Sequence, residues 1–174
     1  MSRAKNLPIP PRTDIDALTV AWGAPIDPEL VTLALTHRSY ANEAGGIANN
    51  ERLEFLGDAV LSIVIADRLF HDHPDSPESD LSRMRAATVS QEPLAMAARR
   101  IELGDFIYLG KGEAGSGGRN KDSILSDTFE AMIGATYLTG GFEIARRVIL
   151  KNLDFLLVQA LSRGSHHDWK TLFV

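Results

Sequence analysis

Apolar residues along this chain return at helical rather than strand intervals. Asp27, Pro28 and Glu29 supply a cap, a first-turn proline and a first-turn acid ahead of Leu30, Val31, Leu33, Ala34 and Leu35, and together they predict a helix. A segment rich in amides and small residues, 41–50, separates it from a run over 51–70 whose Leu, Val and Ile recur every three or four positions. Residues 71–77 interrupt that run, and Ser76-Pro77-Glu78 restarts a helix carrying Leu81, Met84 and Ala87. Ser90 is placed to cap the next, with Pro93 in the first turn, where its missing N–H costs nothing. Further helices are predicted over 121–139, ending at Gly140-Gly141, and over 142–161. Phe106-Ile107-Tyr108-Leu109 is the only strand-like run, and it enters a glycine-rich segment, 110–118, that reads as a flexible loop. The pattern is all-α, with about seven to nine helices at the usual helix length.

Length and composition narrow this further. A chain of 174 residues with 44% hydrophobic and 24% charged positions fits one compact domain with a real core. Residues 1–13, with Arg3, Lys5, Arg12 and three prolines, predict a loose arm; the domain is expected over 14–162, with linker-like sequence over 163–174. The absence of cysteine excludes disulfides, thiolate zinc sites and cysteine nucleophiles. No stretch is apolar enough for a membrane span or a secretory leader, so a cytoplasmic location without membrane attachment is expected. A net charge of −5 argues against holding nucleic acid by bulk charge alone.

Candidate chemistry lies in the carboxylates. Glu51, Glu54 and Asp58 are three and four apart and share one face of their helix, opposite Leu53, Leu56, Val60 and Val64. Asp127 and Glu130 repeat the spacing on a second helix, with Gly134 following on nearly the same face, where bulk would crowd the acids. Oxygen donors without Cys or a required His suit a hard divalent ion, Mg²⁺ or Mn²⁺. Two such ions about 3.5 to 4 Å apart can activate water and stabilise the departing oxygen of a phosphodiester. From spacing alone, an ordinary solvated acidic stripe is the commoner explanation.

The segment Asn50-Glu51-Arg52-Leu53-Glu54-Phe55-Leu56-Gly57-Asp58-Ala59-Val60-Leu61 resembles the signature of the ribonuclease III family almost position by position. Four more blocks, 35–39, 81–85, 109–113 and 123–131, extend the resemblance in order over nearly the whole chain. It implies the all-α endonuclease-domain fold of that family, as a homodimer. It implies that Glu54, Asp58, Asp127 and Glu130 bind metal and that Asp58 and Glu130 are foremost in catalysis, with Glu51 and Glu78 as supporting acids. Glu78 is equally explained as a first-turn acid beside Pro77. Phe55 resembles the aromatic that plugs a socket in the partner subunit.

The implied reaction is Mg²⁺-dependent hydrolysis of double-stranded RNA, with Mn²⁺ as substitute, of the kind that processes rRNA and mRNA precursors. Its products would be 5′ phosphate and 3′ hydroxyl ends with short 3′ overhangs. Recognition would fall on 2′-hydroxyls and phosphates, because A-form RNA hides its base edges. Lys111, Arg119 and Lys121 around the glycine segment are the candidate RNA-binding cations, a plain connector being the alternative. Asp168-Trp169-Lys170-Thr171 resembles the opening of the RNA-binding domain that family members usually carry, whereas Leu172-Phe173-Val174 departs from it; 163–174 therefore reads as linker and the start of such a domain.

Rival readings fit poorly. Gly110-x-Gly112-x-x-Gly115 matches a dinucleotide fingerprint, but no alternation of strand and helix surrounds it. His71-Asp72 and His167-Asp168 fall in predicted loop and tail, and no Glu-x-x-His pair marks a di-iron bundle. The alternative from another functional class is a relative that binds double-stranded RNA without cutting it, which the intact set of four acids disfavours.

Overall fold

Every regular element of this computed structural model is helical; it describes the backbone of residues 10–172 and the side chains of residues 10–159. The α-helices are α1 (Ile15–Trp22), α2 (Pro28–Ala34), α3 (Arg38–Glu43), α4 (Glu51–Asp72), α5 (Glu78–Val89), α6 (Gln91–Arg100), α7 (Lys111–Gly115), α8 (Asp122–Gly140) and α9 (Phe142–Leu172). Short 3-10 turns occupy Leu103–Phe106 and Gly118–Asn120.

α8 is the axis of the fold, packed by α2, α4, α6 and α9, with α4 as its most extensive neighbour. Between residues 124 and 136 every side chain of α8 is buried except Asp127 and Glu130. A helix surrounded on all sides has apolar residues on all sides. The two acids therefore mark the one strip at which the core opens to solvent. Trp22 closes the other side: its ring packs edge-on against Phe129 at 5.2 Å and its Nε1–H donates to Thr136 Oγ1 at 2.8 Å. α9 seals this end, as Lys151 Nζ donates to the Ala21 carbonyl and Asn152 Nδ2 to that of Trp22.

α4 and α8 cross backbone to backbone. A Cβ built on Gly57 would overlap the carbonyl oxygen of Glu130, and one on Gly134 would overlap that of Leu53. Gly134 is thus required by main-chain approach to α4 rather than by the bulk of the acids themselves.

Several expectations change. The helix predicted from Asp27 breaks at residues 35–37, and α3 starts with His37 as its cap, so helix reaches into the segment expected to be loop. The strand-like run forms no strand: Phe106 ends a 3-10 turn, and a lone bridge between Thr36 and Tyr108 is the only pairing among the described residues. Phe106, Ile107 and Leu109 are instead buried in the core, which explains their apolar character without a sheet. The glycine segment contains α7 and runs into the 3-10 turn that begins at Gly118. Its start is pinned: the Gly110 N–H donates to Ser39 Oγ at 2.9 Å and the Lys111 N–H to Glu43 Oε1 at 2.8 Å.

Ser90 occupies its predicted cap position, but its hydroxyl donates to the Ala87 carbonyl at 3.5 Å. α9 continues through the stretch expected to be linker, up to Leu172. Residues 1–9 of the predicted arm and 173–174 lie outside the described residues. The end of that arm is tied down, since Arg12 lies over the Phe106 ring, donates its backbone N–H to Asp105 and pairs with Asp14 and Glu102.

Candidate active site

A buried asparagine sets the start of α4. Asn50 Nδ2 donates to the Ala34 carbonyl and its N–H to that of Thr36, both at 3.0 Å, while its own carbonyl accepts from the Glu54 N–H. Asn49 Oδ1 accepts the Glu51 N–H, so the amide-rich loop satisfies first-turn donors that a helix leaves unpaired. From this anchored end α4 presents Glu51, Glu54 and Asp58 to an open cleft of about 870 Å³, whose opposite helix contributes Asp127 and Glu130. All five acids predicted for these two helices meet in one place.

The acids interact in pairs. Glu54 and Asp127 share a side-chain hydrogen bond, as do Asp58 and Glu130. Two carboxyl groups can do so only if one keeps its proton. Burial, then the bond to Asp58 and the charges of Asp58, Glu54 and Asp127, push Glu130 up to about 9. Burial, followed by the charge and hydrogen bond of Asp127, raises Glu54 to about 7. Asp127 is raised by burial too, against the opposing effects of the Glu54 hydrogen bond, His37 and Arg38. Glu130 Oε2 is buried without a hydrogen-bond partner.

That orphaned oxygen and the all-oxygen donor set fit a hard divalent ion. Among the described residues no three His, Cys, Asp or Glu donors are already gathered closely enough to hold one. The burial that raises Glu54, Asp127 and Glu130, and the mutual repulsion added to it at Glu54 and Glu130, are what a bound cation would relieve.

The facing wall consists of residues to which the sequence gave no role. His37, Arg38, Ser39, Asn42 and Glu113 line the cleft with Lys121. His37 Nδ1 accepts the Ser39 N–H at 3.2 Å and lies 2.7 Å from Ser39 Oγ; burial lowers its pKa despite the pull of Glu113 and Asp127. Their signal was the matching block 35–39, which helical periodicity alone does not explain.

The three predicted RNA-binding cations divide. Lys121 lines the cleft and pairs with Glu113 Oε1 at 2.9 Å. Lys111 is exposed on α7 and does not line it. Arg119 turns inward, donating to the carbonyls of Gly104 and Ile107, and braces the segment from within. Glu78 lies outside this cleft, exposed at the start of α5 and accepting from Ser82 Oγ at 2.7 Å. Phe55 is 81% exposed. It stands between the acids and a second, mainly apolar groove lined by Leu30, Leu33, Leu53, Leu56 and Leu138.

The likeness to known proteins agrees with this geometry. A family model described as Ribonuclease-III-like matches residues 27–155. "Ribonuclease 3" of Corynebacterium efficiens is 52% identical over 171 residues, covering 91% of this chain and 69% of that protein. The protein of the same name from Mycobacterium leprae is 52% identical over 158 residues, covering 89% of this chain and 66% of its own length. Among solved structures, the nuclease domain of ribonuclease III from Campylobacter jejuni superposes with a TM-score of 0.77 at 42% identity, covering 82% of this chain and 95% of that one. Giardia Dicer matches with a TM-score of 0.57 at 26% identity, over 80% of this chain and 19% of its own. Helices, crossing glycines and paired acids occupy the matched region, and the chain belongs to the ribonuclease III family as an endoribonuclease.

Proposed function

We propose that this chain hydrolyses phosphodiester bonds of double-stranded RNA as a homodimer, with Mg²⁺ held by Glu54, Asp58, Asp127 and Glu130. The observation that carries this reading is the meeting of four carboxylates from α4 and α8 in one open cleft, with Glu130 raised to about 9 and one of its oxygens orphaned. Carboxyl groups packed this closely need either protons or cations. Divalent ions bound there would activate water and stabilise the departing oxygen of the scissile phosphate.

The chain's residues then have distinct tasks. Glu130 and Glu54 release their protons when cations arrive and present charged oxygens to them. Asp58 and Asp127, their hydrogen-bonded partners, complete the donor set. Glu51 adds negative charge at the solvent end. In-line attack of water on phosphorus breaks the bond to the 3′ oxygen, which leaves as a hydroxyl once protonated, and the phosphate stays on the 5′ carbon. Mn²⁺ is expected to substitute, having the same preference for oxygen ligands.

Two sites in one dimer suit the two strands of a duplex, offset so that short 3′ overhangs result. Phe55, exposed beside the apolar groove, fits a contact between copies, with Glu78 of one copy approaching the other's cleft. A C. jejuni structure concerns flexibility in the dimer-forming region of that protein's nuclease domain. Lys121 and Lys111 are the phosphate-contacting cations on this reading, and precursor rRNA and mRNA are the expected substrates in a cytoplasmic setting. No helix among the described residues is long and apolar enough to cross a membrane.

The deciding experiment is cleavage of a long duplex RNA with and without Mg²⁺, the wild type beside Glu130→Gln. Shortened products with wild type only, and only with the ion, are expected. A mobility shift without shortening would replace this reading with that of a non-cleaving binder.

A further inference from the structure

One cation on the cleft wall has no direct partner among the described residues. Arg38 lines the same cleft as Glu51, Glu54, Asp58, Asp127 and Glu130 and is exposed at the start of α3. Its guanidinium makes no hydrogen bond, ion pair or ring contact among the described residues, though its charge is felt by Asp127 and His37. The other cation there, Lys121, is held by Glu113. Arg12, Arg68, Arg83 and Arg99 are each ion-paired to acids elsewhere on the surface.

The backbone beneath Arg38 is fixed. The His37 N–H donates to the Tyr108 carbonyl, the Tyr108 N–H donates to that of Leu35, and Asn50 binds the Ala34 and Thr36 carbonyls. One residue further on, Ser39 Oγ accepts the Gly110 N–H. A planar fork with five donors on a pinned base lines the same cleft as five acids without a direct hydrogen bond or ion pair to any described residue, so its donors stay open to an acceptor from outside the protein. A guanidinium fork matches two phosphate oxygens at once, which a lysine point charge does not.

We propose that Arg38 is a substrate-binding residue that grips the non-bridging oxygens of a phosphate flanking the one being cut, holding the RNA strand against the acidic wall. The assignment rests on duplex RNA being the ligand, and it gives the acidic cleft a positive contact on the wall facing the carboxylates.

Binding and cleavage are measured separately. In EDTA, duplex RNA binding is followed by mobility shift over a range of salt for wild type, Arg38→Gln, Arg38→Lys and the control Arg147→Gln, an exposed arginine of α9 that does not line the cleft. Arg38→Gln is expected to bind about tenfold more weakly, with the salt slope reduced by about one for each Arg38 in contact. Arg38→Lys should restore the slope but not the full affinity, and Arg147→Gln should match wild type. In Mg²⁺, Arg38→Gln should raise the half-saturating RNA concentration more than it slows single-turnover cleavage. Its melting temperature should match wild type and its Mn²⁺ affinity should not fall, because Arg38 makes no direct contact with the carboxylates and the loss of a positive charge acting on Asp127 does not weaken cation binding.

An unchanged slope and affinity in Arg38→Gln, or an equal loss in Arg147→Gln, would overturn the assignment. So would a fall in Mn²⁺ affinity, which would make Arg38 a support of the metal site. If wild type binds duplex RNA but never cuts it, hydrolysis falls while the binding arm still decides Arg38. If it neither binds nor cuts, both readings fall.

Discussion

Replacing Gly57 with alanine tests whether main-chain contact between α4 and α8 sets the spacing of the acids. The added Cβ would stand 2.7 Å from the Glu130 carbonyl carbon and 3.0 Å from the Gly134 nitrogen, besides overlapping the Glu130 oxygen. Comfortable carbon contacts begin near 3.5 Å, and the overlap with the Glu130 oxygen is tighter still, so the helices must part by at least about 1 Å. Rotation about χ angles cannot relieve this, because the obstructing atoms are backbone. Overpacking of this kind costs about 1–3 kcal/mol, and the better helix propensity of alanine returns about 1 kcal/mol.

At the upper end of that range the net loss is about 2 kcal/mol, or about 4–8 °C in melting temperature for a domain of this size. The effect on chemistry is larger. Metal–ligand distances tolerate about 0.2 Å, and a 1 Å misplacement of reacting groups can cost about 100-fold in rate. Thermal denaturation, Mn²⁺ titration and single-turnover cleavage of duplex RNA measure the three consequences. Gly112→Ala on α7, where a Cβ would meet nothing within 4 Å, is the control and should be neutral. A Gly57→Ala protein that melts, binds Mn²⁺ and cleaves like wild type would refute the reasoning.

Other perturbations follow from the same structure. With Glu130 raised to about 9 and Glu54 to about 7, both from an ordinary 4.5, the folded metal-free protein keeps protons that the unfolded chain releases. Its stability in EDTA should therefore fall as pH rises from about 5 to 9, and the stabilisation by Mg²⁺ should be greater at pH 8.5 than at pH 6; denaturation scans showing the opposite slope would contradict the buried-proton account. Glu130→Gln imitates the protonated acid, so it should preserve or raise the metal-free melting temperature while abolishing cleavage. Trp22→Phe removes the donor to Thr136 and part of a buried ring, with an expected loss of about 2–3 kcal/mol in chemical denaturation. Phe55→Asp should halve the particle mass in analytical ultracentrifugation without lowering the content of helix, since the ring is 81% exposed in the single chain.

Periodicity was enough for α4, α8 and the start of α9, because an amphipathic or fully apolar helix records its neighbours in its own spacing. The acid pairs were legible for the same reason: three- and four-residue intervals fix which side chains share a face, and α8 is buried everywhere except at Asp127 and Glu130. What the spacing could not reveal was tertiary. Phe106, Ile107 and Leu109 look like a strand because core residues and strand residues have the same composition, and only the absence of a partner along their length settles the matter. The glycine segment reads as mobile until Ser39 and Glu43, far away in sequence, are seen holding its first two N–H groups. Arg119 shows that a cation near a cleft in sequence can still turn inward to main-chain carbonyls. His37 and Arg38 lie before the acid-bearing helix, where no spacing rule connects them to it.

The clasp between the two ends of the domain bears on how the molecule is made. The carbonyls of Ala21 and Trp22 find donors only when Lys151 and Asn152 arrive, more than a hundred residues later in synthesis. A nascent chain that has already emitted α1 through α8 still has that corner open to water, and the ring beneath it unsealed. Closure must wait for the ninth helix to leave the ribosome, so the endonuclease domain is finished last at the place where it was begun.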